Sequence, residues 1–261
     1  MTPWITKPVP FNIGQGAAAA ALDPIDDTDL KAYYKFNETS GDIINVSESS
    51  ADLGSSADIS ITGGSYNQNQ FGFGYSMLFD GINDFGQLSS SLSLWNFLHS
   101  STAKYSIAFW IRFVSHAEDD YVLASIWTND QGAGIMCPRI ESNSKLRQNG
   151  TNATTNVFIN TSATSYIAND TDYFFTFTYD QSLASGNATT FKNASETNSG
   201  TKTAATPLNG DSSYPLLLGK HPNASSGFGN FYICEMSIWG RVLSDSEISD
   251  LYNGGSGRGI Y

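Results

Sequence analysis

The stretch "FYICEMSIWGRVLSDSEISDLYNGG", residues 231–255, decides the fold of this chain. Its first nine residues alternate with a period of two, which predicts a strand with one buried face. Its second half begins with Ser244 and Glu247, which have the spacing of a helix capping box, and Gly254 stands where a C-terminal cap belongs. The stretch therefore predicts a long strand followed at once by a short helix.

The same alternation recurs upstream and predicts an all-β chain. The runs "YSIAFWIRF" (105–113) and "TDYFFTFTYD" (171–180) each place aromatic or branched residues on one face. Shorter runs are found in "KAYYKF" (31–36), "YSMLF" (75–79), "YVLASIW" (121–127) and "PLLLG" (215–219). Clusters of Gly, Asn, Asp and Ser separate them, as in a sandwich or barrel. A brief helical turn is expected in "SLWNFLHS" (93–100).

Two segments rich in Asn and Thr, residues 141–171 and 182–206, predict exposed strands and long loops. They carry most of the N-x-Ser/Thr triplets of the chain. We interpret these triplets as a polar surface rather than as glycosylation sites, because the N-terminal sequence does not resemble a signal peptide.

The composition excludes several classes of partner. The chain has 261 residues, enough for one sizeable core, and a formal net charge of −12 without a cluster of Lys or Arg. Nucleic acid is therefore not an expected partner. The chain has no run of about 18 apolar residues, so membrane insertion is not expected. Cys137 and Cys234 allow one disulfide or two free thiols.

Residues 1–29 predict an extended arm, first rich in proline and then in glycine and alanine. A floppy tail is one interpretation. The other is an arm that docks on a neighbouring subunit, because Trp4, Phe11 and Ile13 are costly to leave in water.

The sequence does not predict a catalytic site. A G-x-S-x-G elbow is missing, and the three histidines lie among polar residues without metal-helix spacing. Glycoside hydrolysis needs two carboxylates across a cleft. Glu235 is the nearest candidate on a strand, but Ser237 and Trp239 occupy the positions where a partner acid would stand.

The order of these features resembles a known family. The strand "LKAYYKFNETSGD" (30–42), the turn "YSMLFDGINDFGQL" (75–88), the two aromatic strands and the closing segment are similar to laminin-G-like domains of the concanavalin A-like lectin/glucanase superfamily. The resemblance implies a two-sheet antiparallel jelly-roll sandwich with one short C-terminal helix. The expected division is an arm at 1–29, the jelly roll at 30–255 and a tail at 256–261. Residues 78–88 are expected to form a hairpin around Asp80-Gly81.

The resemblance also implies that the domain binds glycans or surface proteins and that some members hold calcium. Asp52 and Asp80 are the candidate calcium ligands, although Cys234 stands where the family usually has an acid. A sugar site needs an aromatic ring beside polar groups on a solvent-facing loop. The candidates for carbohydrate binding are Trp127, Asn129, Asp130, His221 and Asn223.

We therefore predict a non-catalytic surface binding or structural module. The arm and the absence of signal-peptide features favour a virion-surface protein, such as a head decoration or tail component, with a lectin-like domain. A secreted or cell-surface carbohydrate-binding adhesin is the alternative, and a glycan-degrading enzyme is the third hypothesis.

Overall fold

A computed structural model describes residues 24–126, 133–152, 155–200, 208, 214–222 and 225–261. Its strands within these ranges are β1 (Leu30–Tyr34), β2 (Ile59–Thr62), β3 (Ser65–Gln68), β4 (Ser76–Asp80), β5 (Phe85–Leu88), β6 (Lys104–Ser115), β7 (Leu123–Ala124), β8 (Ala133–Glu141), β9 (Lys145–Asn152), β10 (Asn156–Thr161), β11 (Asp172–Asp180), β12 (Ala188–Lys192), β13 (Ser195–Gly200), β14 (Leu216–Leu218) and β15 (Asn230–Trp239). The helix α1 spans Asp245–Tyr252, and 3-10 turns lie at Gly54–Ala57, Asn96–His99, Ser142–Ser144 and Asn253–Gly255. The helical turn expected in 93–100 is thus confirmed.

The strands form two antiparallel sheets, as the sequence predicts. In the described residues the first sheet has eight strands in the order β13-β12-β11-β6-β15-β4-β3, with β1 paired to β15. The second has seven strands in the order β10-β9-β8-β7-β14-β5-β2. Strands β7 to β10 all lie in the second sheet and β11 to β13 in the first, so the chain passes between the sheets several times, and the helix follows the last strand.

The main core lies between the two sheets. Phe109 of β6 and Phe177 of β11 are both fully buried, with ring centroids 5.9 Å apart. Nine residues of β11 pair in register with β6, so the alternation of both strands points one set of aromatic rings into the same core.

A second apolar layer covers the outer face of the first sheet. Trp110 and Trp239 are buried there, and Trp110 stacks on Tyr252 of α1 with centroids 5.6 Å apart. Helix α1 has the expected capping box: Ser244 accepts from the Glu247 backbone N–H, and the Glu247 side chain accepts from the Ser244 backbone N–H. The helix thus buries the aromatic residues that face away from the sandwich interior.

Residues 78–88 do not form the predicted hairpin. Strand β4 pairs with β15 and β3 in the first sheet, whereas β5 pairs with β14 and β2 in the second. The turn therefore carries the chain from one sheet to the other. Asp80 Oδ1 accepts the backbone N–H groups of Ile82 and Asn83 at 2.8 and 3.3 Å, and Gly81 has φ +75°.

Strand β9 also differs from the expectation of exposed polar segments. Gln148 and Asn149 are almost completely buried. Gln148 donates from its amide to the Tyr105 hydroxyl and to the Thr178 carbonyl oxygen. Polar side chains are tolerated at these positions because some of their hydrogen bonds are made inside the sandwich.

The segments on either side of the sandwich contact it. Arg241 donates to the carbonyl oxygens of Asp26 and Thr28, and the Tyr261 hydroxyl donates to Asp27 at 2.8 Å. Ile260 is buried. The division at residues 29/30 and 255/256 stays a prediction, but residues 24–29 and 256–261 are in contact with the domain.

Cys137 and Cys234 are both free and buried, which answers the question that the sequence left open. The described residues contain no helix that is long and apolar enough to cross a bilayer.

Candidate functional site

Four of the five carbohydrate-binding candidates, Trp127, Asn129, Asp130 and Asn223, lie outside the described residues. The fifth, His221, is only 8% exposed. Its ring packs edge-on against Tyr121 with centroids 4.8 Å apart. In this position the imidazole contributes to side-chain packing.

The strand register separates His221 from the described residues that flank the Trp127 segment. Leu218 of β14 pairs with Leu123 of β7, and Leu217 pairs with Ala124. Because the strands are antiparallel, the chain beyond Leu218 and the chain beyond Ala124 leave the sheet at opposite ends. His221 and Ile126 therefore do not belong to one site.

The two candidate calcium ligands bond to the chain itself. Asp80 holds the turn described above, and Asp52 Oδ1 accepts from the Asn45 side-chain amide at 2.6 Å. The described residues contain no group of three or more His, Cys, Asp or Glu side chains arranged to hold a metal ion. Calcium prefers six to eight oxygen ligands, and these residues do not fit that set. Calcium binding at Asp52 and Asp80 stays a prediction.

Glu235, the nearest candidate for a catalytic acid, lies in a bulge of β15 between Cys234 and Ser237. Its carboxylate accepts a hydrogen bond from the Tyr33 hydroxyl, and the Ile260 backbone N–H donates to the same hydroxyl at 3.2 Å. Burial raises the pKa of the Glu235 carboxyl, partly offset by the Tyr33 hydrogen bond. The C-terminal segment thus contacts Tyr33, the hydrogen-bond partner of the Glu235 carboxylate.

A different position has the properties of a binding site. A cavity of about 220 Å³ lies on the outer face of the first sheet, beside the start of α1. Strands β11, β12 and β13 and the segment before α1 supply its walls. We call it the Asn187 pocket; its lining residues are Thr178, Asp180, Leu183, Gly186, Asn187, Thr189, Phe191, Glu196, Val242, Leu243 and Asp245.

The Asn187 side chain makes this cavity unusual. Asn187 is 2% exposed, yet neither its Oδ1 nor its Nδ2 has a hydrogen-bond partner among the described residues. Its backbone is held in place, because the Asp180 N–H donates to the Asn187 carbonyl oxygen at 2.8 Å. A buried polar group without a partner costs about 1–3 kcal/mol, so a ligand hydroxyl that reached this amide would satisfy a donor and an acceptor that the protein leaves unpaired in the described residues.

The rim of the Asn187 pocket is apolar on one side. Leu183 and Val242 are 46% and 38% exposed, and Phe191 lies deeper in the wall. An apolar rim beside a buried amide offers both kinds of contact that a sugar ring makes, hydrogen bonds to hydroxyls and packing against C–H groups.

The charge on the pocket wall is negative. Asp180 is bonded by the Ser182 N–H at 2.8 Å and by Lys104 Nζ at 2.9 Å. Burial raises the pKa of the Asp180 carboxyl, but these bonds outweigh it and hold the pKa below its ordinary value. Asp180 is therefore ionised at neutral pH.

Sequence reasoning missed this pocket and treated Asn187 only as the start of an N-x-Ser/Thr triplet. The walls come from β11 to β13 and from residues 242–245, so no local motif contains them. Of the other triplets, those at Asn149, Asn152 and Asn160 are also buried, whereas Asn37 and Asn169 are exposed. What distinguishes Asn187 is a buried amide with neither atom bonded in the described residues, and a sequence does not display this directly.

The chain matches one protein-family model, described as the concanavalin A-like lectin/glucanases superfamily, over residues 83–249. This is more than half of the chain, so the protein belongs to this superfamily. A search of curated proteins finds no match.

Solved structures share the fold. Domain 4 of AbnA, a GH43 extracellular arabinanase from Geobacillus stearothermophilus, solved in complex with arabinotriose, has a TM-score of 0.59 at 17% identity, covering 85% of this chain and 97% of that one. Trypanosoma rangeli sialidase in complex with sialic acid has a TM-score of 0.58 at 11% identity, covering 86% of this chain and 32% of that one. The binding domain of botulinum neurotoxin serotype D has a TM-score of 0.57 at 12% identity, covering 87% and 51%. The chain thus spans about a third of the sialidase, and these identities show a shared fold alone.

Proposed function

We propose that this protein is a non-catalytic carbohydrate-binding domain that holds one sugar residue in the Asn187 pocket. The observation that carries the proposal is the buried, unpartnered side-chain amide at a cavity of about 220 Å³. Sugar hydroxyls donate and accept, so two neighbouring hydroxyls of one ring satisfy both atoms of the amide.

The size of the pocket favours a single ring. Sites for drug-sized ligands measure about 300–1,000 Å³, and this cavity is smaller. The fold match to a domain solved with arabinotriose supports a carbohydrate ligand, because that match covers almost the whole of the other domain.

The test is a glycan array followed by calorimetry on the best neutral oligosaccharide. Asn187→Ala is expected to lower its affinity at least about tenfold, because hydrogen bonds between an enclosed site and a ligand are lost. Asn169→Ala, which removes an exposed asparagine, is the matched control and is expected to leave the affinity unchanged.

Protein stability separates loss of binding from loss of fold. The Asn187 side chain has no hydrogen-bond partner among the described residues, so Asn187→Ala breaks no such bond within the protein. We therefore expect no loss of free energy of unfolding from a broken hydrogen bond. Equal glycan binding by wild type and Asn187→Ala would contradict the pocket assignment. A loss confined to Trp127→Ala would instead favour the loop residues predicted from the sequence.

The absence of catalysis is part of the proposal. It is supported by the bonding of the Glu235 carboxylate to Tyr33, next to the C-terminal segment. We expect no release of reducing sugar from the bound glycan. Release that disappears in Glu235→Gln would overturn this part and favour the glycan-degrading enzyme.

The setting of the domain is proposed to be a virion surface, with a secreted or cell-surface adhesin as the alternative. The support is the sequence of the arm, where Trp4 and Phe11 favour docking on neighbouring copies or on capsid or tail subunits. Deletion of residues 1–23 is expected to convert an assembled protein into a monomer in light scattering. A full-length monomer would contradict docking between copies.

A further inference from the structure

We infer that the Asn187 pocket selects sugars by charge, in the order amino sugar, neutral sugar, uronic or sialic acid. This rests on the proposed function of the pocket and adds the chemical class of its ligand. Three carboxylate residues line the cavity, Asp180, Glu196 and Asp245, and no Lys, Arg or His lines it in the described part of the chain.

In the part of the chain that the structure describes, two of the three carboxylates have no basic partner. Lys104 pairs with Asp180, but no ion pair joins Glu196 or Asp245 to a basic residue within the described ranges. A cleft lined by charges of one sign concentrates ligands of the opposite sign and repels those of the same sign. A protonated amino group gains from this field, and a sugar carboxylate loses.

Hydrogen bonds to the Asn187 amide hold the sugar ring within the electrostatic field of these carboxylates. Asn187 and the two uncompensated carboxylates line the same cavity of about 220 Å³, so a ring that bonds to the amide lies within reach of their charge. The hydroxyls of the ring supply the binding common to all sugars. The substituent on the ring then decides the sign of the electrostatic contribution.

The experiment compares monosaccharides that differ mainly in charge. Glucosamine, glucose and glucuronate form one series, and galactosamine, galactose and galacturonate form the second. Binding of each to the full chain is followed by chemical-shift perturbation in NMR spectra, with the Asn187 side-chain amide as the reporter. In low salt we expect the affinity to fall from amine to neutral sugar to uronate in the series that binds.

The double variant Glu196→Gln/Asp245→Asn tests the cause. The ratio of amine to uronate affinity is expected to fall about fourfold or more, since exposed charge pairs contribute modestly and both ligand charges are affected. The double variant Asp42→Asn/Glu118→Gln removes two exposed carboxylates that do not line the pocket and is expected to leave the ratio unchanged. High salt is expected to reduce the ratio of amine to uronate affinity in the wild type, because it screens the charges.

The outcomes distinguish the two proposals. Equal affinity for all three charges, a preference for the uronate, or a ratio that both double variants change alike would overturn the charge selection and leave sugar binding intact. No perturbation at Asn187 by either series or by the neutral oligosaccharide chosen from the array would overturn both.

Discussion

Glu235 is a residue at which β15 departs from regular strand geometry. Its backbone φ is +50°, a left-handed conformation that costs a residue with a side chain free energy. The bulge turns the carboxylate towards the Tyr33 hydroxyl, which donates to it. Because burial raises the pKa of the Glu235 carboxyl, the folded protein holds this proton to a higher pH than the unfolded chain does.

This difference predicts a pH-dependent effect of Glu235→Gln. The unfolded carboxyl titrates near 4.5 and the folded one above that value, so the wild type loses stability as the pH rises from there through the folded pKa. Glutamine keeps an acceptor for Tyr33 and does not titrate. We expect urea unfolding to show similar stability for both proteins at about pH 4 and a more stable variant at pH 7.

Glu118→Gln, which removes one exposed carboxyl, controls for the change in net charge. An advantage of Glu235→Gln that is as large at low pH as at neutral pH would show that the charge is not its cause.

At the level of the element, the turn from β4 to β5 determines how the two sheets are connected. Gly81 has φ +75°, and an added Cβ would lie 2.8 Å from Asn230 Cβ. Gly41 has a similar φ of +83° with no atom within 4 Å of an added Cβ. The two glycines therefore separate backbone strain from steric overlap.

We expect Gly41→Ala to lower the free energy of unfolding by about 1 kcal/mol, the cost of a left-handed backbone for alanine. Gly81→Ala is expected to cost about 2 kcal/mol or more, because Asn230 must also move. Denaturant unfolding of both variants provides the measurement. Equal losses in the two variants would mean that the turn relaxes without disturbing β15.

The capping box of α1 gives the second prediction at this scale. Ser244→Ala removes the hydroxyl that accepts from the Glu247 backbone N–H and is expected to cost about 1 kcal/mol. Ser249→Ala, at an exposed helix position whose side chain makes neither capping-box bond, serves as the control. Thermal unfolding that ranks the two variants in the opposite order would show that the cap does not limit the stability of the helix.

For the whole molecule, the sequence predicts elements well where the signal is local. Residues 105–113 and 245–252 have the expected strand and helix because periodicity and capping are properties of neighbouring residues. The turn after Asp80 shows the limit of prediction from local signals. Its Asp-Gly signal fixes a change of direction, but the choice between returning to the same sheet and crossing to the other depends on distant strands.

The candidate site could not be predicted from local sequence patterns for the same reason. Asn187 meets Asp180 close by in the chain, but it meets Val242 and Asp245 only because α1 folds back over the first sheet. Polarity also misled the prediction for β9, since Gln148 is polar and yet bonds to Tyr105 and Thr178 in the interior. Composition indicates how polar a segment is, and tertiary packing decides whether it is exposed.

The two thiols test the layered architecture as a whole. Cys137 lies in the core between the sheets, and Cys234 lies in the second layer beneath α1, so the first sheet separates them. Burial raises the pKa of both thiols, which lowers the fraction of reactive thiolate.

We expect neither cysteine to react with an aromatic disulfide reagent in the native protein and both to react once the chain is unfolded. A reductant is expected to leave the melting temperature unchanged, because a disulfide between the layers would have to pass through the sheet. Rapid reaction of Cys234 alone under native conditions would mean that α1 opens independently of the sandwich, and reaction of both would mean that the two layers open together.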